Sequence, residues 1–259
     1  MSTEEGIWGS TPWPTGWDVR HVTETGSTNA DLIAAMEAGT AANRTVLATD
    51  HQTAGRGRLD RRWDAPPGTN LLVSIVVTPI PAVPADVTHR VGLAAVAAVR
   101  RFLATDVAPS AGLKWPNDVL LDGRKLAGIL AQRVPGRDAV VVGMGLNVGW
   151  APEGAAALGL LADVATGDAT ISPAVVLRAL LEELDALPRD VSALYRDLLV
   201  TIGQTVRVEL PGDTPALRGR AVAVDDSGHL VVVDADGMSH DLDVGDVVHV
   251  RSADGETSV

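Results

Sequence analysis

The sequence predicts an α+β protein in which helices and short strands alternate up to about residue 202 and a small all-β barrel of about 50 residues follows. Three observations carry this reading. The chain has 259 residues, enough for one full domain and a small one. Hydrophobic residues make up 46% and charged residues 21%, so a sizeable core can form, although with aromatics at 3% it must be filled by Ala, Val and Leu. At Gly203 the pattern changes to short alternating runs such as TVRVEL, GRAVAVD, HLVVVD and DVVHVR, separated by Pro-Gly, Asp-Ser-Gly and Asp-Gly turns.

Ser27 to Gly39 has hydroxyl N-cap candidates, apolar residues at helical spacing and a glycine stop, which predicts an amphipathic helix. Val46 to Thr49 reads as a strand. So does Asn70 to Thr78, a β-branched apolar run bounded by Pro66-Pro67-Gly68 and Pro79. A long helix over Asp86 to Leu103 precedes strands at Gly112 to Trp115, Val119 to Leu121, Lys125 to Arg133 and Asp138 to Val148. Asp122-Gly123 favours a tight type I′ turn between two of them. Ala151 to Thr170 is rich in Ala and Gly without a period, which suggests a mobile surface segment, and helices follow at Pro173 to Leu187 and Arg189 to Val200. The implied organisation is an N-terminal tail over 1–18, a larger domain over 19–202, a small β-domain over 203–251 and a polar tail over 252–259.

The formal net charge of −12 argues against a protein that coats nucleic acid or anionic lipid. Cysteine is absent, which removes disulfides, thiolate metal sites and a Cys nucleophile, and fits a reducing cytoplasm. Glu4 and Glu5 precede any basic residue, unlike a signal peptide, and the apolar run Val91 to Val99 is far short of the ~20 residues a membrane span needs.

Charge is unevenly spread. Residues 51–125 hold ten basic side chains against six acids, whereas residues 203–259 hold four Arg against eleven acids. Something anionic is expected to bind in the larger domain. Of 21 basic residues only Lys114 and Lys125 are lysines, either through compositional drift or because an ammonium follows a moving oxygen better than Arg's rigid fork. His51-Gln52-Thr53-Ala54-Gly55-Arg56-Gly57-Arg58 lets backbone N–H groups approach a ligand while guanidinium groups converge on carboxylate or phosphate. Plain turn glycines and a nucleic-acid patch are the alternatives. The phosphate-loop fingerprint GxxxxGK[ST] is absent, and Gly143-Met144-Gly145-Leu146-Asn147-Val148-Gly149 lacks the third glycine of GxGxxG. In Lys114-Trp115-Pro116-Asn117-Asp118 an amide and a carboxylate follow a strand-ending proline, as a site or simply as a turn.

These segments together resemble the biotin protein ligase family, over about Val19 to Arg251. The resemblance is carried by Thr25-Gly26-Ser27-Thr28-Asn29, by the Gly/Arg segment 51–58, by Lys114-Trp115-Pro116-Asn117-Asp118, by Lys125-Leu126-Ala127-Gly128-Ile129-Leu130 and by Gly143-Met144-Gly145-Leu146-Asn147-Val148, in the family's order. Asp60 stands where the commoner form GRGRxGR has glycine.

The resemblance implies a largely antiparallel mixed sheet with flanking helices, like that of class II synthetases, followed by an SH3-like barrel. It implies a ligase without an N-terminal helix-turn-helix, hence no DNA partner. Such a ligase forms biotinyl-5′-AMP from biotin and ATP, and transfers biotin to a lysine of a carboxylase carrier domain. By the same resemblance Ser27, Thr28, Asn29, Gln52, Gly55 and Gly128 belong to the biotin pocket, with Arg56, Gly57 and Arg58 folding over the carboxyl end. Lys125 contacts carboxylate and α-phosphate. Arg58, Arg61, Trp63, Lys114, Asn117 and Asn147 hold the nucleotide side, Mg²⁺ arrives on the ATP phosphates, and Asp118 orients or deprotonates the incoming amine. Lys125, Arg58 and Asp118 are thus the catalytic candidates. The Gly/Arg loop and the Ala151 to Thr170 segment are expected to order over the intermediate. A monomer or weak homodimer is expected, with strands near Val140 as a possible dimer edge. Lipoate or octanoate ligases, which share the fold, and a non-catalytic binding protein are the rival readings.

Overall fold

The structure, a computed structural model, describes residues 8–59, 61–103, 110–160, 171–210, 214–243 and 245–249. The expectations for Asp60, for residues 161–170 and for the C-terminal tail lie outside the described residues.

Seven strands form the larger sheet: β1 (Asp18–Thr25), β2 (Thr45–Gln52), β3 (Leu71–Val77), β4 (Ala111–Lys114), β5 (Asp118–Leu121), β6 (Arg124–Arg133) and β7 (Val140–Leu146). Their order is β1-β2-β3-β7-β6-β5-β4, with β1 and β2 parallel and every other neighbouring pair antiparallel. Helices α1 (Thr28–Glu37), α2 (Asp86–Arg100), α3 (Pro173–Ala186) and α4 (Ser192–Leu198) flank it.

Strand alternation divides the interior into two layers. Val73 and Ile75 of β3 and Val142 and Met144 of β7 share one buried cluster with Val91, Val96 and Leu180 of α2 and α3. Leu47, Val76 and Val141 face the other way, onto Leu32 and Met36 of α1. Local signals agree with this packing. Gly39 ends the first helix at φ +73°, and Asp122 and Gly123 take φ +52° and +69°, as a type I′ turn requires. Ser172 caps α3 by accepting from the Val175 N–H, with Pro173 as its first residue.

The sequence reading assigned no strand at β1, an edge strand whose half-exposed, polar-rich alternation gives little hydrophobic signal. The Trp-rich N-terminus also acquires a place. Trp8 is buried and stacks on His21 at 4.5 Å, and both donate toward Asp50. Trp17 donates to Asp185 of α3 at 2.9 Å and lies under the Arg44 guanidinium. The expectation of a dimer edge near Val140 needs correction: β7 is flanked by β3 and β6, so its backbone is already paired on both sides. Among the described residues no helix is long and apolar enough to cross a membrane.

A second sheet holds β8 (Thr205–Glu209), β9 (Leu217–Val224), β10 (Leu230–Val233), β11 (Ser239–Leu242) and β12 (Asp246–His249), in the order β11-β10-β9-β8-β12 with all pairs antiparallel. The turn before β10 is one of its attachments to the larger domain. The Gly228 carbonyl accepts from Trp115 Nε1 at 3.0 Å, and Arg196 of α4 donates to Val224 O and Asp226. Gly228, at φ +88°, sits against Ala85 and His89 so closely that a Cβ would clash. His89 stacks on Tyr195 at 3.7 Å, with Asp86 Oδ1 3.7 Å from its ring.

Two outcomes follow from this junction. Gly228→Ala adds both a steric overlap and left-handed strain, so it should lower unfolding free energy by about 1–3 kcal/mol in urea melts. Burial pushes the His89 imidazole down from 6.5 to about 4. The unfolded chain therefore binds the extra proton first. The stability His89 confers is complete above pH 6.5 and drains away as pH falls toward 4, by up to about 3 kcal/mol. His89→Gln should flatten that part of the acid stability profile.

Candidate active site

The sheet face turned toward α1 carries a hole. In adjacent rungs Ser74 pairs with Gly143 and Gly143 with Leu130, then Leu72 pairs with Gly145 and Gly145 with Gly128. Glycines 128, 143 and 145 place no side chain there, and a cavity of about 250 Å³ opens above them. A Cβ on Gly143 would overlap the Asn29 amide, one on Gly145 would overlap the Trp63 indole, and one on Gly128 would press on Trp63 and Lys125.

A chain of polar side chains forms one end of the cavity. Gln52 Oε1 accepts from the Thr28 N–H at 2.9 Å and from its hydroxyl at 3.1 Å. Thr28 and Ser74 hydroxyls lie 2.6 Å apart, and Ser74 donates to Asn29 Oδ1 at 2.6 Å. Asn29 Nδ2 donates in turn to Gln132 Oε1 at 2.7 Å and to Leu130 O at 3.2 Å. Thr28, Asn29 and Ser74 are buried, and this network fixes their orientation.

The mouth is cationic. Residues 55–57 run antiparallel to residues 61–63: Trp63 N–H donates to Gly55 O at 3.1 Å, Gly57 N–H donates to Arg61 O at 2.7 Å, and Arg56 pairs with Arg62 in an isolated β-bridge. A Cβ at position 55 would overlap the Trp63 carbonyl, so glycine is required there. Arg58 turns inward and donates to Gly245 O at 3.3 Å, while Arg61 pairs with Asp246. Burial lowers the Arg58 pKa against the pull of Asp246 and Asp118, and the guanidinium remains charged.

Lys125 reaches the cavity through a strand irregularity. Gly128 pairs with Asp118 and Ala127 with Val119, but Leu120 pairs with Lys125 rather than Leu126. Regular alternation would send positions 125 and 128, three apart, to opposite faces. The bulge lets Leu126 and Ala127 both stay in the core and puts Lys125 on the cavity face. Its Nζ lies 2.7 Å from Asp118 Oδ1 and 5.6 Å from the centre of the Trp63 ring.

Ser27, Thr28, Asn29, Gln52, Arg56, Gly57 and Arg58 all line this one cavity, as do Arg61, Trp63, Asn117, Asp118, Lys125, Gly128 and Asn147. Gly55 is buried behind it, and Lys114 ends β4 away from its wall. Asn117 and Asn147 spend their amides on the protein: Asn117 Nδ2 donates to Ile129 O at 2.7 Å, and Asn147 bonds Ala156 O and Asn70. Residues 151–160, expected to be mobile, are instead pinned. Ala156 N–H donates to Lys125 O, Leu158 N–H to Asn147 O and Gly159 N–H to Val148 O. Sequence reasoning missed Ser74, Gln132, Asn70 and Asp246. The first three carry no motif, and Asp246 comes from the small domain. Among the described residues no three His, Asp or Glu side chains gather as a metal site, and Trp63 Nε1 is the one buried side-chain polar atom without a hydrogen-bond partner.

A mixed-sheet domain with a polar-ended, cation-mouthed cavity, edged by a small β-domain, defines a class of protein built to hold a small ligand that is polar at one end and anionic at the other. The comparisons with known proteins make this specific. Residues 22–148 match the Biotin/lipoate A/B protein ligase family, and residues 201–250 match the Biotin protein ligase C terminal domain. The chain is 42% identical to the biotin--[acetyl-CoA-carboxylase] ligase of Mycobacterium tuberculosis over 91% of both proteins. It is 28% identical to the bifunctional ligase/repressor BirA of Bacillus subtilis over 78% of this chain and 66% of that one. The biotin protein ligase from Aquifex aeolicus in complex with biotin and ATP superposes with a TM-score of 0.73 at 22% identity, covering 91% of this chain and 99% of that one. That from Leishmania major in complex with biotinyl-5-AMP gives 0.62 at 25% identity, covering 88% and 99%. The chain belongs to the biotin protein ligase family.

Gly145→Ala should drive the Trp63 indole out of its slot. Tryptophan emission is expected to shift to the red in the free protein, and a Trp63→Phe background should abolish the shift.

Proposed function

We propose that the protein is an ATP-dependent biotin protein ligase that acts in the cytoplasm on the biotin carboxyl carrier domain of an acyl-CoA carboxylase. The observation that carries the proposal is the one cavity joining the Gln52–Thr28–Ser74–Asn29 network to the Arg58, Lys125 and Asp118 mouth.

The polar end suits a ligand head with both donors and acceptors, such as the ureido ring of biotin. An analogue lacking them would leave buried groups unpaired, at about 1–3 kcal/mol each. The cationic mouth then faces the carboxylate. In the first step a carboxylate oxygen attacks the α-phosphorus of ATP and the bond to the bridging oxygen breaks, releasing diphosphate. Like-charge repulsion is the main barrier. Arg58 and Lys125 oppose it from the protein side, and Mg²⁺ carried on the substrate's phosphates supplies further neutralising charge.

Lys125 is held by Asp118 in the free protein, so an arriving anion shares its ammonium with that carboxylate. The Trp63 indole, seated against Gly145, forms a wall of the cavity on which the adenylate can pack. In the second step a carrier lysine nitrogen attacks the acyl carbon, the carbon–oxygen bond to AMP breaks, and Asp118 takes the proton of the attacking amine. The paired segments 55–57 and 61–63 shield the mixed anhydride from water.

Exchange of labelled diphosphate into ATP tests this reading. It should require biotin and fail with lipoate, octanoate or no acid. Exchange with lipoate or octanoate would place the protein with the sister ligases, and none with any acid would make it a binding protein. Lys125→Ala should reduce biotin-dependent exchange by about 10²–10³-fold.

A further inference from the structure

The sheet of the small domain turns one face inward, carrying Val206, Val208, Ala221 and Val247, and the other to solvent. Three rungs of the outer face follow in order. Asp246 pairs with Glu209; Val248 pairs with Arg207 and Arg207 with Arg218; Thr205 pairs with Arg220. Arg207, Arg218 and Arg220 are exposed, and Val248 beside them is 46% exposed. They are three of the four arginines in residues 203–259, against eleven acids there. Arg207 pairs with Glu209, whereas among the described residues neither Arg218 nor Arg220 makes an ion pair. Arginines directly opposite on adjacent strands repel each other, so the stripe costs the small domain stability.

The stripe begins at the cavity. Asp246, at its first rung, lines the cavity and pairs with Arg61. Four residues of strand separate that rung from the one holding Arg220, about 13 Å. A protein partner covering roughly 800 Å² around the cavity mouth has a footprint about 16 Å in radius. A domain that delivers a lysine into the cavity therefore lands on the stripe. With a net charge of −12 the protein repels acidic partners elsewhere, and here it presents cations.

We infer that the outer face of the small-domain sheet, through Arg218 and Arg220 with Arg207 and Val248, is a docking ledge for the carrier domain and recognises carboxylates beside its acceptor lysine. This rests on the ligase reading. The test uses the full chain with Arg218→Glu/Arg220→Glu, and an apo carrier domain of an acyl-CoA carboxylase as the probe. Biotin-dependent diphosphate exchange should stay within about twofold of the unaltered chain, while KM for the carrier rises about tenfold with kcat unchanged and with weaker salt dependence. Arg218→Lys/Arg220→Lys should recover most of the loss. An unchanged carrier KM in the charge-reversed protein would overturn the ledge while leaving the ligase reading intact. Absence of biotin-dependent exchange in the unaltered chain would instead remove the reading on which the ledge rests.

Discussion

Three missing side chains set the arrangement of this molecule. Glycines 128, 143 and 145 stand in successive rungs of one face of the central strands; a Cβ at 143 or 145 would collide with Asn29 or Trp63, and one at 128 would press on Trp63 and Lys125. A sheet in this position would ordinarily cover its face with Val, Ile or Leu, as β3 and β7 do on the opposite side. Removing side chains at the centre lets α1 bring a polar residue, Asn29, down to the sheet and leaves space above it. The buried amide and hydroxyls are tolerable because each finds a partner in the same network. Cavity shape, polar end and helix position are therefore one constraint.

Electrostatics is organised around the same opening. The protein is strongly acidic overall, yet it gathers Arg56, Arg58, Arg61 and Lys125 at one mouth. Such a cluster repels itself when no anion is present. Asp118 on Lys125 and Asp246 on Arg61 offset part of that repulsion. The second of these carboxylates belongs to the small domain, which is fixed to the large one by the Gly228 turn. Loss of that turn would thus be felt at the mouth through Arg58 and Arg61.

Much of this was legible in the sequence, and the parts that were not have physical reasons. Strong periodicity and turn chemistry marked α2, β3 and the Asp122-Gly123 hairpin, because each is decided locally. The edge strand β1 was silent because half of it faces water. Motifs located the cavity residues from Ser27 to Asn147, but Ser74 and Gln132 sit in ordinary-looking strands and become polar partners only through register. The segment after Trp150 looked loose by composition. It is held by backbone bonds to Lys125, Asn147 and Val148, which small residues such as Ala156 and Gly159 permit by close approach and which composition does not encode.

Asn117 and Asn147, which line the cavity, also show how a motif residue braces the strand that carries another. Asn117 clamps Ile129, one residue beyond Gly128, and so steadies the strand that carries Lys125. Asn147 holds Ala156, whose own N–H returns to the Lys125 carbonyl, and with Asn70 it fixes the turn at Val148 and Trp150. Lys125 is thus braced from both sides of its strand while its side chain stays 41% exposed. A charged side chain loses orienting power if its backbone drifts by even an ångström. Two asparagine amides that hold backbone carbonyls at and beside this strand fit a site whose chemistry depends on where one lysine stands.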